Sequence, residues 1–69
     1  MIRLKIKEVA QQKGLSMAKL ARRADMDFKT VQRIFHDPYR DIPLSTLARL
    51  AKALNVPSSE LIEDVPDPE

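Results

Sequence analysis

Cysteine is absent and histidine occurs once, at position 36. The first absence excludes a disulfide framework and any thiolate metal site. The second leaves too few imidazoles for a metal cluster, so neither a metal nor another cofactor is expected. A chain without cysteine suits a reducing compartment, and a cytoplasmic location is the expectation. Glycine is nearly missing as well: Gly14 stands alone, so no glycine-rich loop is available to cradle a nucleotide phosphate. Long apolar runs are lacking. From Met1 the chain reads Ile2-Arg3-Leu4-Lys5-Ile6-Lys7, with charges breaking up the apolar residues. This excludes a signal-peptide core and the run of about 18–20 apolar residues that would span a bilayer, so no membrane partner is expected. Nothing suggests a paired-carboxylate pocket or a nucleophile set against a base. The chain is not expected to be an enzyme, and no small-molecule ligand is evident.

What is present is a short, charged and strongly patterned chain. Sixty-nine residues make one domain near the lower size at which a core holds without staples, and helices packed on one another build such a core most economically. The net charge of +2 hides a polarity. Residues 1–40 carry ten Lys/Arg against four Asp/Glu, or +6, whereas residues 41–69 carry two against six, or −4. A basic amino-terminal half suits an anionic partner, nucleic acid first and an acidic membrane surface or acidic protein second.

Apolar spacing divides the chain into short helices. Ile6, Val9 and Ala10 predict a first helix over about residues 3–13, ended by a left-handed Gly14. Ser16 is placed to cap a second, whose stripe is Met17, Leu20, Ala21 and Ala24. Asp27 is placed to cap a third over residues 28–36 through its side-chain oxygen. That helix shows Val31, Ile34 and Phe35 inward and stops before Asp37-Pro38. Leu44, Leu47, Leu50, Ala51 and Leu54 define a fourth, ended by Asn55, and a short fifth over 59–63 follows Ser58, burying Leu61 and Ile62. No strand with a partner is apparent. Residues 1–63 form the predicted domain, and the acidic, proline-broken segment 64–69 is expected to be disordered.

The second and third helices are separated by only Asp25-Met26-Asp27, a length that forces a turn of about 90–120°. Such a crossing requires a small residue, supplied by Ala21, and an apolar plug, supplied by Met26. It also requires a residue that tolerates positive φ, and Asp25 is among the few non-glycine types that do. The run Leu15 to Ile34 resembles the helix-turn-helix of the phage-repressor (Cro/XRE) family at Leu20, Ala21, Ala24, Met26, Val31 and Ile34. The run Leu44 to Val56 resembles that family's fourth helix. The likeness extends over about residues 3–63. It implies an all-α compact bundle of four to five short helices, a third helix that enters the major groove, and a regulator that usually binds double-stranded DNA as a dimer. Two positions depart from the family pattern: Asp25 stands where glycine is common, and Met17 stands where a phosphate-binding glutamine is common.

On the third helix Lys29, Gln32, Arg33 and His36 share the face opposite the apolar one, with no acid among them. Arg33 suits guanine O6 and N7, Gln32 suits adenine N6 and N7, and Lys29 suits guanine acceptors or phosphate. Thr30 or Phe28 is placed to touch a thymine methyl. Phosphate contacts are expected from Ser16, Lys19 and Arg22 on the second helix and from Tyr39 and Arg40 in the connector. Phe35 and Tyr39 are expected to pack as a pair beneath that connector, and His36 to cap its helix's last carbonyls. A sequence-specific DNA-binding transcriptional regulator is thus the leading reading. The alternative is a protein-interaction module on the same fold, antitoxin-like or a regulatory partner, using Phe35, Tyr39 and the acidic tail. A homodimer on DNA would have to use the fourth helix, the fifth or the tail, with Leu61, Ile62 and Val65 as candidates.

Overall fold

The computed structural model of the chain describes residues 1–68. Four helices form its body: α1 (Ile6–Gln12), α2 (Met17–Ala24), α3 (Phe28–His36) and α4 (Leu44–Leu54). A single 3-10 turn, Ser58–Leu61, follows α4. Two three-residue strands, β1 (Ile2–Leu4) and β2 (Ile62–Asp64), pair antiparallel with Arg3 opposite Glu63. The fold is largely helical, with this small sheet closing the amino-terminal end of the chain onto the carboxyl-terminal one.

Every element except β2 contributes to one aliphatic core. Leu4, Ile6, Val9, Leu20, Val31, Ile34, Leu47, Leu50, Leu54 and Leu61 are buried together, with Ala10, Ala21, Ala24 and Ala51 at the close helix approaches. No polar side chain is buried among the described residues. Burial rather than hydrogen bonding between side chains therefore holds the helices together, at about 25 cal/mol per Å² of apolar surface.

Three helices end by the same backbone device. The amide of Leu15 donates to the carbonyl of Ala10 and that of Gly14 to Gln11. Met26 donates to Ala21 and Asp25 to Arg22, while Val56 donates to Ala51 and Asn55 to Lys52. In each case the penultimate donor sits at positive φ (Gly14 69°, Asp25 54°, Asn55 57°), and the next residue is a half-buried apolar side chain against the core. This is the Schellman arrangement with its hydrophobic contact. It fixes the exit direction of each helix and thereby the angle at which the following one begins.

The sheet overturns the expectation that no strand has a partner. The spacing predicts a first helix from about residue 3, but Ile2-Arg3-Leu4 forms a strand and α1 starts only at Ile6. The strand's partner lies 60 residues away in sequence, beyond the reach of any local pattern. Arg3 secures the junction: its Nη1 donates to Glu63 Oε1 at 2.8 Å and lies 2.7 Å from Glu8 Oε2, joining β1 to both β2 and α1. The hydrogen bonds to Glu63 and Glu8 hold the guanidinium pKa above its ordinary value.

The predicted fifth helix is also corrected. Only one 3-10 turn forms, with Pro57 rather than Ser58 at its cap position and no side-chain cap, because the chain must straighten at Ile62 to enter β2. The domain boundary drawn between 63 and 64 falls inside that strand. Within the tail expected to be disordered, Val65 donates its amide to the Met1 carbonyl at 2.9 Å. Asp67 accepts from the Met1 amine at 2.6 Å, and Glu69 lies outside the described residues.

Candidate nucleic-acid interface

The interface begins at the turn between α2 and α3. Asp25 adopts the left-handed region (φ 54°, ψ 50°), and the Met26 amide reaches back 2.9 Å to the Ala21 carbonyl. Ala21 is 4% exposed at this crossing, where a larger side chain would separate the helices. Ser16 begins α2 as expected, its Oγ accepting from the Lys19 amide at 3.2 Å. Asp27 occupies the cap position of α3 with extended backbone (φ −64°, ψ 137°), but its side chain makes no cap hydrogen bond. The expected carboxylate cap is therefore corrected to a backbone one, in which the Asp27 carbonyl accepts from Thr30 at 3.1 Å and Val31 at 3.2 Å.

Because α3 turns Val31 and Ile34 into the core, the opposite face carries Lys29, Gln32, Arg33 and His36, all exposed. Phe28 stands exposed at the helix's first position, and Thr30 and Phe35 lie half-buried at the margins. None of Lys29, Arg33 or His36 meets a carboxylate in an ion pair among the described residues; the pairs found there are Met1 with Asp67 and Arg3 with Glu8 and Glu63. The charge on this face is thus not neutralised by any of the described residues. Lys19 and Arg22 stand exposed on α2, so the structure brings the α2 and α3 candidates onto adjoining helices.

Tyr39 and Arg40 are placed differently. α3 stops at His36, so the helical relation between Phe35 and Tyr39 does not survive Asp37-Pro38, and the two line different grooves. The Pro38 carbonyl instead accepts from the Leu4 amide at 2.7 Å, and the Tyr39 amide donates to Asp37 Oδ1 at 3.3 Å. Phe35 packs toward α1 and Met17, while Tyr39 and Arg40 line a separate groove with Ile2, Ile42 and Leu44. Leu61, a candidate for a dimer contact, belongs to the core and is unavailable.

One feature was missed by sequence reasoning. Arg23 from the end of α2 and Arg49 and Lys52 from α4 line one shallow depression floored by Ala24 and Ala53. Cations at 49 and 52 share a helical face, but nothing local in sequence joins them to Arg23. Their meeting depends on α2 packing against α4.

Comparison with curated protein sequences finds no match. Among solved structures, the chain is similar to the restriction-modification controller protein C.AhdI from Aeromonas hydrophila. The two share 28% identity and a TM-score of 0.74, over 81% of this chain and 83% of that one. The family model for the Cro/C1-type HTH DNA-binding domain matches residues 5–67, which span all four helices and the turn between α2 and α3. The chain belongs to the Cro/C1-type helix-turn-helix DNA-binding family.

Proposed function

We propose that the chain is a transcriptional regulator that binds double-stranded DNA sequence-specifically, with α3 in the major groove. The observation that carries this reading is the acid-free face of α3, without an ion pair among the described residues, where Lys29, Gln32 and Arg33 project beside the exposed Phe28. Arg33 and Gln32 supply bidentate contacts to guanine and adenine, Lys29 a contact to guanine or phosphate, and Phe28 apolar contact with a thymine methyl. Ser16, Lys19 and Arg22 hold phosphates and set the register. The Ser16 hydroxyl accepts from the Lys19 amide and retains its own proton for donation. The resemblance to a controller protein supports the regulatory role. Since one helix reads only a few base pairs, the active species is a homodimer spanning two half-sites about 34–36 Å apart.

Selection of binding sites from random duplexes, followed by titration at several salt concentrations, tests the reading. Log affinity is expected to fall linearly with log salt, with a slope near −0.9 per neutralised phosphate. Arg33→Ala is expected to lose about 1–3 kcal/mol of discrimination at one base pair. Lys19→Ala is expected to weaken all sequences alike and to reduce the slope by about 1. Equal losses for both variants on every sequence would contradict the division of roles, and absence of duplex binding at low salt would contradict the function.

A further inference from the structure

Arg23, Arg49 and Lys52 converge on the shallow depression between α2 and α4, whose floor is formed by Ala24 and Ala53. All three cations are exposed, no acid lines the depression, and none of the three meets a carboxylate in an ion pair among the described residues. The cluster works against the fold that holds it. Arg49 and Lys52 lie three apart on α4, a spacing at which like charges oppose each other, and Arg23 adds a third cation from the neighbouring helix. Helix dipoles account for part of the arrangement, since Arg23 and Lys52 occupy the last turns of their helices. Arg49 stands earlier in α4, outside the last turn to which that effect is confined, and no dipole requires the three to share one depression.

We propose that this depression is a docking site for an acidic protein segment in which carboxylates flank an aliphatic side chain. Charge complementarity supplies the rim: the guanidinium forks of Arg23 and Arg49 suit carboxylates bidentately, and Lys52 adds a compact third charge. The floor selects the rest of the partner. Ala24 and Ala53 present methyl groups and no side-chain donor, so the floor accepts an aliphatic side chain, whereas a phosphate or sugar set there would face an apolar surface without a hydrogen bond. Position separates the site from the face that carries Lys29, Gln32 and Arg33. α2 packs against both α3 and α4, which barely touch each other, so the depression lies on a different flank of α2 from α3. The chain can therefore hold an acidic partner there while α3 stays free. This function lies beyond the DNA-binding reading and does not rest on it.

The test is titration of the full, nitrogen-15-labelled chain with the peptide Glu-Leu-Glu-Leu-Glu at low salt, followed by amide chemical shifts. Exposed ion pairs are individually weak, so binding in the millimolar range is expected, with shifts centred on Arg23, Ala24, Arg49, Lys52 and Ala53 and lost as salt is added. Arg49→Gln with Lys52→Gln is expected to weaken the peptide about tenfold, and Arg23→Gln on the other helix about threefold to fivefold. Lys7→Gln with Lys13→Gln removes the same net charge at exposed positions elsewhere and is expected to change affinity less than about twofold. The peptide Glu-Ser-Glu-Ser-Glu is expected to bind at least about threefold more weakly, since serine gives the alanine floor little apolar contact. Shifts centred on Lys29 and Arg33 instead, equal losses in the two double variants, or equal affinity for the two peptides overturn the proposal. So does a loss of duplex DNA affinity in Arg49→Gln with Lys52→Gln as large as its loss of peptide, which would assign the depression to nucleic acid. The peptide titrations contain no DNA, so their failure leaves the DNA-binding reading standing, and failure of duplex binding leaves the peptide result standing.

Discussion

The turn between α2 and α3 supports a quantitative prediction through Asp25→Gly. A residue with a Cβ in the left-handed region costs about 1–2 kcal/mol, with short polar side chains such as aspartate at the lower end, so removing the side chain recovers about 1 kcal/mol. Glycine's greater freedom in the unfolded chain returns about 0.5–1 kcal/mol the other way. The hydrogen bonds that define the turn, Asp25 to Arg22 at 3.3 Å and Met26 to Ala21 at 2.9 Å, belong to the backbone and survive the exchange. The net change in folding stability is therefore about zero to slightly favourable. Gly14→Ala is the reciprocal control. Gly14 sits at φ +69° in the same arrangement, and an added Cβ meets nothing within 4 Å, so backbone strain of about 1–2 kcal/mol, offset by about 0.5–1 kcal/mol from the stiffer unfolded chain, leaves a net cost of about 1 kcal/mol. For a domain of this size that lowers the thermal midpoint by about 4–8 °C, while Asp25→Gly leaves it unchanged or slightly raised. Circular dichroism melts of the two variants with the parent are sufficient. A loss above about 1 kcal/mol for Asp25→Gly would refute the argument, because it would require a stabilising role for a carboxylate that accepts no hydrogen bond among the described residues. On duplex DNA the same variant should bind at least as tightly as the parent, since a carboxylate beside α3 has been removed without altering the turn.

Ser16→Ala should cost about 0.5–2 kcal/mol through loss of the 3.2 Å cap to Lys19, and Asp27→Ala should cost less, because only its charge near the α3 N-terminus is lost; urea titration separates the two. Leu50→Ala, at the fully buried centre of α4, should lose about 2–5 kcal/mol, a large share of the stability of so small a domain, and should lower the urea midpoint accordingly. Arg3→Met should loosen the sheet and lower the melting midpoint. Because the folded-state pKa of Arg3 is raised, its contribution is complete below the ordinary arginine value and is lost only above the folded one. The deficit should therefore be equal at neutral and mildly alkaline pH.

Local pattern carried most of this fold. The stripes of α2, α3 and α4 are set by apolar residues three and four apart, and their ends by residues that tolerate positive φ, both readable within a few positions. Whatever depended on distant partners was not legible. The strand Ile2–Leu4 looked like the start of a helix, since its pairing with Ile62–Asp64 closes the whole chain. Leu44 fits the apolar stripe of α4, yet it stands 81% exposed at the margin of a groove. Arg23 could not be joined to Arg49 and Lys52 before α2 and α4 were seen to pack. At the interface, helical spacing was sufficient to place Lys29, Gln32 and Arg33 on one exposed face, but the connector after α3 has no period. Tyr39 and Arg40 consequently line a groove apart from Phe35.

The placement of the acids gives the charge asymmetry of the chain a physical sense. Asp25 and Asp27 lie within the turn, at the end of α2 and the start of α3, where backbone conformation and the helix dipole accommodate them. Glu8 and Glu63 are both engaged by Arg3, and Asp67 by the Met1 amine. The acids that close the sheet are thus partnered, while the cations of α3 and the exposed face of α2 are left without internal partners among the described residues. Neutralising Lys29 and Arg33 within the fold would have stabilised the isolated protein modestly, since exposed pairs are worth about 0–1 kcal/mol. Leaving them free sacrifices that small gain and keeps two cations available for a polyanion, where each phosphate neutralised also releases a counterion. Acidic substitutions that pair these residues, such as Gln32→Glu beside Lys29, should therefore change folding stability by less than about 0.5 kcal/mol. The same substitution should weaken duplex binding sharply and flatten its salt dependence; unchanged binding would mean that α3 does not face the DNA.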